Sequence, residues 1–184
     1  VPGPYASIAA PNGELAPFLA KKGVRLQRSL RPDMSMSFFF MEHPLVGGYA
    51  PGKVALRRAI ALAFDGDNYI RRVLGGLAIP AQSTIAPFTS GYDPAYKSEM
   101  SDFDPARAKA LLDLYGYVDR DGDGWREQPD GKPLTLVLAT QSDQRSRTAN
   151  ELWKRCMDAV GLKMEFDVST WPELLQKSRA GTLM

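Results

Sequence analysis

The chain has 184 residues, enough to bury a sizeable core, with 44% apolar and 24% charged residues, both ordinary for a globular protein. Its 23 basic and 21 acidic residues leave a net charge of +2, which gives no electrostatic basis for binding nucleic acid or an anionic membrane. The single cysteine, Cys156, excludes an intrachain disulfide, and no apolar run approaches the roughly 18 residues of a membrane span. The basic clusters Lys21-Lys22, Arg57-Arg58 and Arg71-Arg72 are pairs and not tracts, and read as solvated faces or local ion pairs.

The opening Val1-Pro2-Gly3-Pro4-Tyr5 has no charged region, no apolar core and no initiator Met, so it is not a signal peptide and the chain reads as a piece of something longer. Pro and Gly punctuate the chain through Pro17, with a short helix expected over Glu14–Lys21 and ended at Gly23. Val24–Leu30 alternates apolar and polar residues, as a half-buried strand does. Pro32-Asp33 is turn chemistry, and Met34–Met41 (MSMSFFFM) reads as a second strand, antiparallel to the first. Glu42–Gly52 is loop. Leu56, Ala59, Ile60 and Ala63 then place an apolar stripe on a helix over Lys53–Phe64. Asp65 caps a second helix over Asp67–Leu74, stopped by Gly75-Gly76. Ile79–Tyr96 is a long loop with three prolines.

Asp104-Pro105 provides an N-cap and a proline at the first helical position. The helix that follows buries Ala108, Leu111, Leu112 and Tyr115 and stops at Gly116. An acidic loop leads to a strand over Leu134–Leu138, and Thr140–Arg145 is polar. A helix over Ser146–Val160 carries Ala149, Leu152, Trp153 and Cys156 on one face. Leu162–Val168 alternates throughout, and Trp171–Ala180 is the last helix. A helix between two strands implies a parallel pair, so the class is α/β, or α+β if the first strand pair forms its own layer.

The acidic loop Asp119-Arg120-Asp121-Gly122-Asp123-Gly124 has the oxygen spacing of a calcium-binding EF-hand. Arg126 stands at the usually apolar eighth position, however, and a strand follows where the exit helix belongs. The loop therefore reads as a turn whose aspartates bond their own backbone, with a single calcium ion at Asp119–Asp123 as the alternative. His43 is the only histidine and has no cysteine pair for zinc. No G-x-S-x-G elbow, Walker loop or G-x-G-x-x-G occurs. Cys156 reads as a small core residue. In a parallel pair, the loops after both strands leave the same carboxyl edge, where ligands of open α/β sheets gather. One loop offers Thr140-Gln141-Ser142-Asp143 and the other Ser169-Thr170-Trp171, a polar and aromatic composition suited to a small-molecule cleft wall. A hydrolase with a base at His43 or Asp143 is the rival reading.

The ordered set of stretches Phe38–Met41, Lys53–Asp65, Gly75–Pro80, Gly91–Pro94, Asp104–Asp123, Asp130–Lys132 and Glu151–Lys154 up to Gly161-Leu162 resembles the family 5 extracellular solute-binding proteins of ABC transporters. This is the peptide-, nickel- and opine-binding group. The resemblance implies an α/β fold with a mixed sheet and flanking helices, part of the C-terminal lobe (domain III) of a two-lobed periplasmic binding protein. Residues 1–184 would form one partial domain: a strand pair and loop (1–52), a helical part with the acidic loop (53–133) and a strand-helix-strand-helix unit (134–184). Phe40 stands where many members have Asn. Peptide-binding members also hold the ligand amine with a loop that would follow Met184.

The implied function is non-enzymatic capture of a small solute, a dipeptide or oligopeptide above all, for delivery to ABC permease subunits. A periplasmic or extracellular monomer, with or without a lipid anchor, and no cofactor are implied as well. The family places an aromatic matching Trp171 on the cleft wall and ligand-facing side chains matching Ser178 and Arg179. Ser142 joins them from the carboxyl-edge argument. Arg57 matches a structural helix arginine, with Asp65 as its expected partner.

Overall fold

A computed structural model describes residues 14–184; the expectations for the opening segment before Glu14 lie outside the described residues. The chain divides into two compact units, one made of the residues up to Ser35 with Gly66–Ser98, the other of Met36–Asp65 with Glu99–Met184. The cuts fall after Ser35, Asp65 and Ser98, inside the expected 1–52 and 53–133 segments.

The larger unit is built on a helix that the sequence marks clearly. Helix α2 (Pro51–Ala63) begins at Pro51 and not at Lys53, because a proline at the first helical position gives up no helical hydrogen bond. Its apolar stripe is buried as the spacing requires: Leu56, Ala59, Ile60 and Ala63, joined by Ala55 and Leu62. Against it packs α4 (Pro105–Leu114), whose Ala108 and Leu112 are fully buried. Asp104 ties the two helices together. Its amide donates to the Leu62 carbonyl at 2.8 Å and its carboxylate accepts the Arg107 amide at 2.8 Å.

The rest of the expected α4 stripe is different. Leu111 is half-buried and Tyr115 is exposed, while Tyr117 is the aromatic in the core at 1% exposure. Gly116 is the cause. Its φ of +78° turns the chain back at the helix end, so that Tyr117, whose amide bonds the Leu112 carbonyl, is the side chain aimed at α2. The Tyr117 hydroxyl donates to the Gly52 carbonyl at 3.1 Å.

Strands β1 (Thr135–Thr140) and β2 (Lys163–Val168) pair in parallel, with Leu136 opposite Met164 and Thr140 opposite Val168. The connecting helix α5 (Gln144–Asp158) starts two residues before Ser146 because Asp143, not a later residue, caps it. It buries Leu152, Cys156 and Met157 and packs on β2. Thr140 Oγ1 lies 3.1 Å from Asn150 Oδ1, which puts α5 on the face of the sheet that carries Thr140 and Met164. The last helix, α6 (Trp171–Arg179), reaches Asp167 on the opposite face through Lys177. The sheet is thus flanked on both sides, the α/β arrangement expected.

The first two expected strands do not form a ladder; among the described residues the β1–β2 pair is the only sheet. Val24–Leu30 is exposed except for half-buried Leu26, and Met36 and Phe38 are 56% and 63% exposed. Alternation marks a segment suited to a sheet face, but a strand also needs a neighbour for its backbone and apolar groups to bury against. The described residues supply neither. The sheet is therefore parallel, without the antiparallel part that would have made it mixed. In the smaller unit, α1 (Pro17–Ala20) and α3 (Gly66–Arg72) are short, and Ala16 is its one buried apolar residue among the described residues. Its long loop turns at Ala86–Thr89, with Phe88 at φ +65° and 78% exposed.

Candidate functional site

The two loops expected to share an edge do so. The Ser169 amide donates to the Thr140 carbonyl at 3.0 Å, extending the β1–β2 pairing to the points where both strands end. From there β1 runs into Gln141-Ser142-Asp143 and β2 into the two-residue turn Ser169-Thr170. Ser142 is exposed on the first loop. Trp171 opens α6 and is 61% exposed, so it is not consumed by packing the helix onto the sheet.

Ser178 and Arg179 lie elsewhere. They sit in the last turn of α6, Ser178 half-buried and Arg179 exposed. At 1.5 Å rise per residue, Ser178 lies about 10 Å along the helix from Trp171, on nearly the same face. Ser142 and Trp171 thus each lie two residues beyond the paired Thr140 and Ser169 ends of the same sheet edge, and the helix carries Ser178 and Arg179 away from it.

Both loops are held by side-chain hydrogen bonds to backbone. Asp143 caps α5, accepting the Ser146 amide at 3.0 Å and the Ser146 hydroxyl at 2.6 Å. The Ser146 contacts hold its carboxyl below the usual range, so it is a committed cap and not a free base. At the start of α6, Glu173 accepts the Thr170 amide at 2.7 Å and the Thr170 hydroxyl at 2.8 Å. These contacts hold the Glu173 carboxyl down too.

Sequence reasoning missed the tie behind this turn. Lys177 Nζ donates to both carboxylate oxygens of Asp167 at 2.6 Å and to Ser169 Oγ at 2.8 Å, while the Ser169 hydroxyl donates to Asp167 at 3.0 Å. Asp167 reads as one more polar residue of an alternating strand; a pairing partner ten residues on carries no local pattern.

The rival catalytic groups are occupied. His43 Nδ1 accepts the Leu45 amide at 3.2 Å within a tight loop whose carbonyls converge on two cations of α2. Lys53 Nζ donates to the Pro44 and Leu45 carbonyls at 2.8 and 2.7 Å, and Arg57 Nη1 to those of Val46 and Gly48. Gly47 is needed there, since a Cβ would overlap the Met41 carbonyl. Burial, then the Lys53 charge, hold the His43 pKa below its ordinary value. Cys156 is buried and its thiol is pushed up by that burial, which makes it a poor nucleophile.

In the acidic loop, oxygens of Asp119, Asp121, Asp123 and Glu127 lie within 4.8 Å of one another. Backbone amides already bind them. Asp119 takes Gly122 and Gly124 at 2.7 and 2.9 Å, Asp123 takes Trp125 at 2.8 Å, and Glu127 takes Arg120 at 2.8 Å. Arg126, whose position spoke against a calcium sensor, has a structural task. Its side chain donates to the Val160 and Tyr117 carbonyls and to Asp113, tying α4, the loop and the end of α5 together.

With this geometry, the chain belongs to the bacterial extracellular solute-binding proteins, family 5, whose middle region matches residues 5–183. It is similar to a di/tripeptide-binding protein 2 of Pseudomonas aeruginosa, 31% identical over 128 residues, which cover 68% of this chain and 22% of that protein. Among solved structures it resembles NikA from Brucella suis in complex with Fe(III)-EDTA, with a TM-score of 0.62 and 28% identity over 71% of this chain and 26% of that one. It also shares its fold with the oligopeptide-binding protein AppA of Bacillus subtilis, at a TM-score of 0.62 and 21% identity over 67% of this chain and 24% of the other. The chain spans about a quarter of the length of these relatives. Among the described residues no helix is long and apolar enough to cross a membrane.

Proposed function

We propose that these residues form a partial C-terminal lobe of an extracellular or periplasmic receptor that captures a small peptide between two lobes and passes it to the permease of an ABC importer. The chemistry is non-covalent: lobes close over the solute by hinge motion, and the closed form is what the permease recognises. The observation that supports this reading is the parallel β1–β2 edge, which the Ser142 loop and the turn leading to exposed Trp171 both leave. Ser178 and Arg179 extend the wall along α6. The di/tripeptide-binding relative supports a peptide as the solute. We read the receptor as a monomer that needs no cofactor, held in the periplasm or by a lipid anchor at the cell surface.

One wall cannot enclose a ligand. Pockets of this kind bury about 70–90% of a small solute, so the missing wall must come from another lobe. The test is a library of di- and tripeptides, read by native mass spectrometry and calorimetry. The complete receptor is expected to retain peptide and to lose most of its affinity in Trp171→Ala, while the 184 residues alone bind at millimolar strength or not at all. Submicromolar binding by these residues alone would overturn the placement of the site between lobes.

A further inference from the structure

Trp171 has an unusual problem for a recognition residue: at 61% exposure, side-chain packing does little to fix where it stands. Its position follows from the direction in which α6 leaves β2, and only Ser169 and Thr170 separate the two elements. That turn is fastened from behind. Lys177, in the second turn of α6, closes a ring with Asp167 and Ser169 in which every contact is 3.0 Å or shorter. The lysine is in a ladder of charge, with Asp167 on the strand and Glu173 one turn back on its own helix.

The same trio invites a catalytic reading, serine nucleophile beside lysine base, and the geometry rejects it. Lys177 Nζ directs all three of its donors at the two oxygens of Asp167 and at Ser169 Oγ, and the Ser169 hydroxyl donates to Asp167, so the lysine presents no acceptor to the serine. The Lys177 ammonium in turn holds the Asp167 carboxyl below the usual carboxylate range. A clamp whose donors are all engaged is a mechanical part.

We propose that Lys177 is a positioning residue of the ligand site: by bridging Asp167 and Ser169 it fixes the angle at which α6 leaves the sheet and so presents Trp171 at the carboxyl edge. The role rests on the reading of Trp171 as cleft wall, but its structural half does not. With α6 held by Lys177, the Trp171 backbone stands in one place before ligand arrives, and the receptor loses less freedom on closing.

The test uses the complete receptor labelled with 5-fluorotryptophan, the Trp171 resonance being the one that Trp171→Phe removes. Lys177→Met is expected to shift or broaden that resonance and to leave those of Trp125 and Trp153 in place, with Lys177→Arg restoring it. Affinity for trialanine, read by calorimetry, is expected to fall about tenfold in Lys177→Met, a typical loss for one well-placed contact. In a Trp171→Phe background the same change is expected to cost nothing further, since the two residues act as one unit. Asp167→Asn and Ser169→Ala carry the same measurements if Lys177→Met fails to fold. An unmoved Trp171 resonance, or an affinity loss that persists in the Trp171→Phe background, would overturn the proposal. Failure of the wild-type receptor to bind trialanine or any di- or tripeptide strikes the peptide reading instead, and the fluorine spectrum still decides the positioning.

Discussion

The two compact units carry similar sequence signals and make different use of them. In the larger unit, apolar spacing on α2 and α4 and alternation on β2 end in a shared interior of Leu56, Leu62, Leu112, Tyr117, Met157 and Leu162, each at 1% exposure or less. In the smaller, Val24, Leu30, Ile79 and Ile85 stay at 40% exposure or more. The difference teaches that a pattern becomes structure only where a second patterned element meets it. Burying a Leu side chain contributes about 1.5–3 kcal/mol, and segments that find no partner forgo it.

Truncation probes this contrast with the largest effect. Leu56→Ala is expected to destabilise the larger unit by about 2–5 kcal/mol, the cost of a buried Leu plus the cavity it leaves. Leu30→Ala, which deletes the same atoms from a side chain 45% exposed, is expected to cost under about 0.5 kcal/mol. Urea denaturation of both variants checks it. A comparable cost at Leu30 would mean that the smaller unit has an interior of its own.

The same contrast sets what the sequence could reveal. The helix over α2, the cap at Asp104, the β1–α5–β2 crossover and the stops at Gly116 and Gly161 were all legible, because each is a local pattern read within one or two turns. Both loops of the candidate edge followed from the parallel pairing. The strands over Val24–Leu30 and Met34–Met41 were misread because alternation says nothing about whether a neighbour exists. Tyr117 was misplaced in favour of Tyr115 because a single positive-φ glycine redirects the chain after the helix has ended. Lys177, Arg126 and the cations under the His43 loop stayed hidden for another reason. Their partners are backbone carbonyls or distant carboxylates, which have no sequence signature.

The larger unit also ties down its loops, and pH separates two such ties. His43 titrates below its ordinary value in the folded state, so the unfolded chain binds more protons near pH 6.5 and stability is lost as the pH falls through that region. Lys53 lies near the ring and adds repulsion once the ring is charged. Because the ring is largely solvated, the loss is expected to stay well below about 1 kcal/mol. Asp143, Asp167 and Glu173 are depressed carboxylates, whose stabilisation is present above about pH 4 and disappears as the pH falls below it. Melting temperature followed from pH 8 to pH 3 is expected to drop in two stages. His43→Gln, whose amide oxygen can still accept the Leu45 amide, should erase the upper stage and leave the lower one. An upper stage that survives in His43→Gln would assign it to another group.

The smallest effect expected is that of calcium. Gathered acidic oxygens resemble a cation site, and a loop that needs an ion for closure melts higher when the ion binds, in proportion to its occupancy. Here the turn has internal closure. Asp119 spans two amides, Asp123 and Glu127 take one each, and Arg120 binds the Gln128 and Gly116 carbonyls at 3.0 Å. Such a loop has its backbone satisfied and part of its negative charge offset by a neighbouring guanidinium. Thermal melts in excess calcium and in excess chelator should therefore agree to within about 1 °C, where a site filled at a hundred times its dissociation constant would add about 2.7 kcal/mol. A calcium-dependent rise that vanishes in Asp121→Asn would reverse the conclusion and make the ion part of the frame that joins α4 to the sheet.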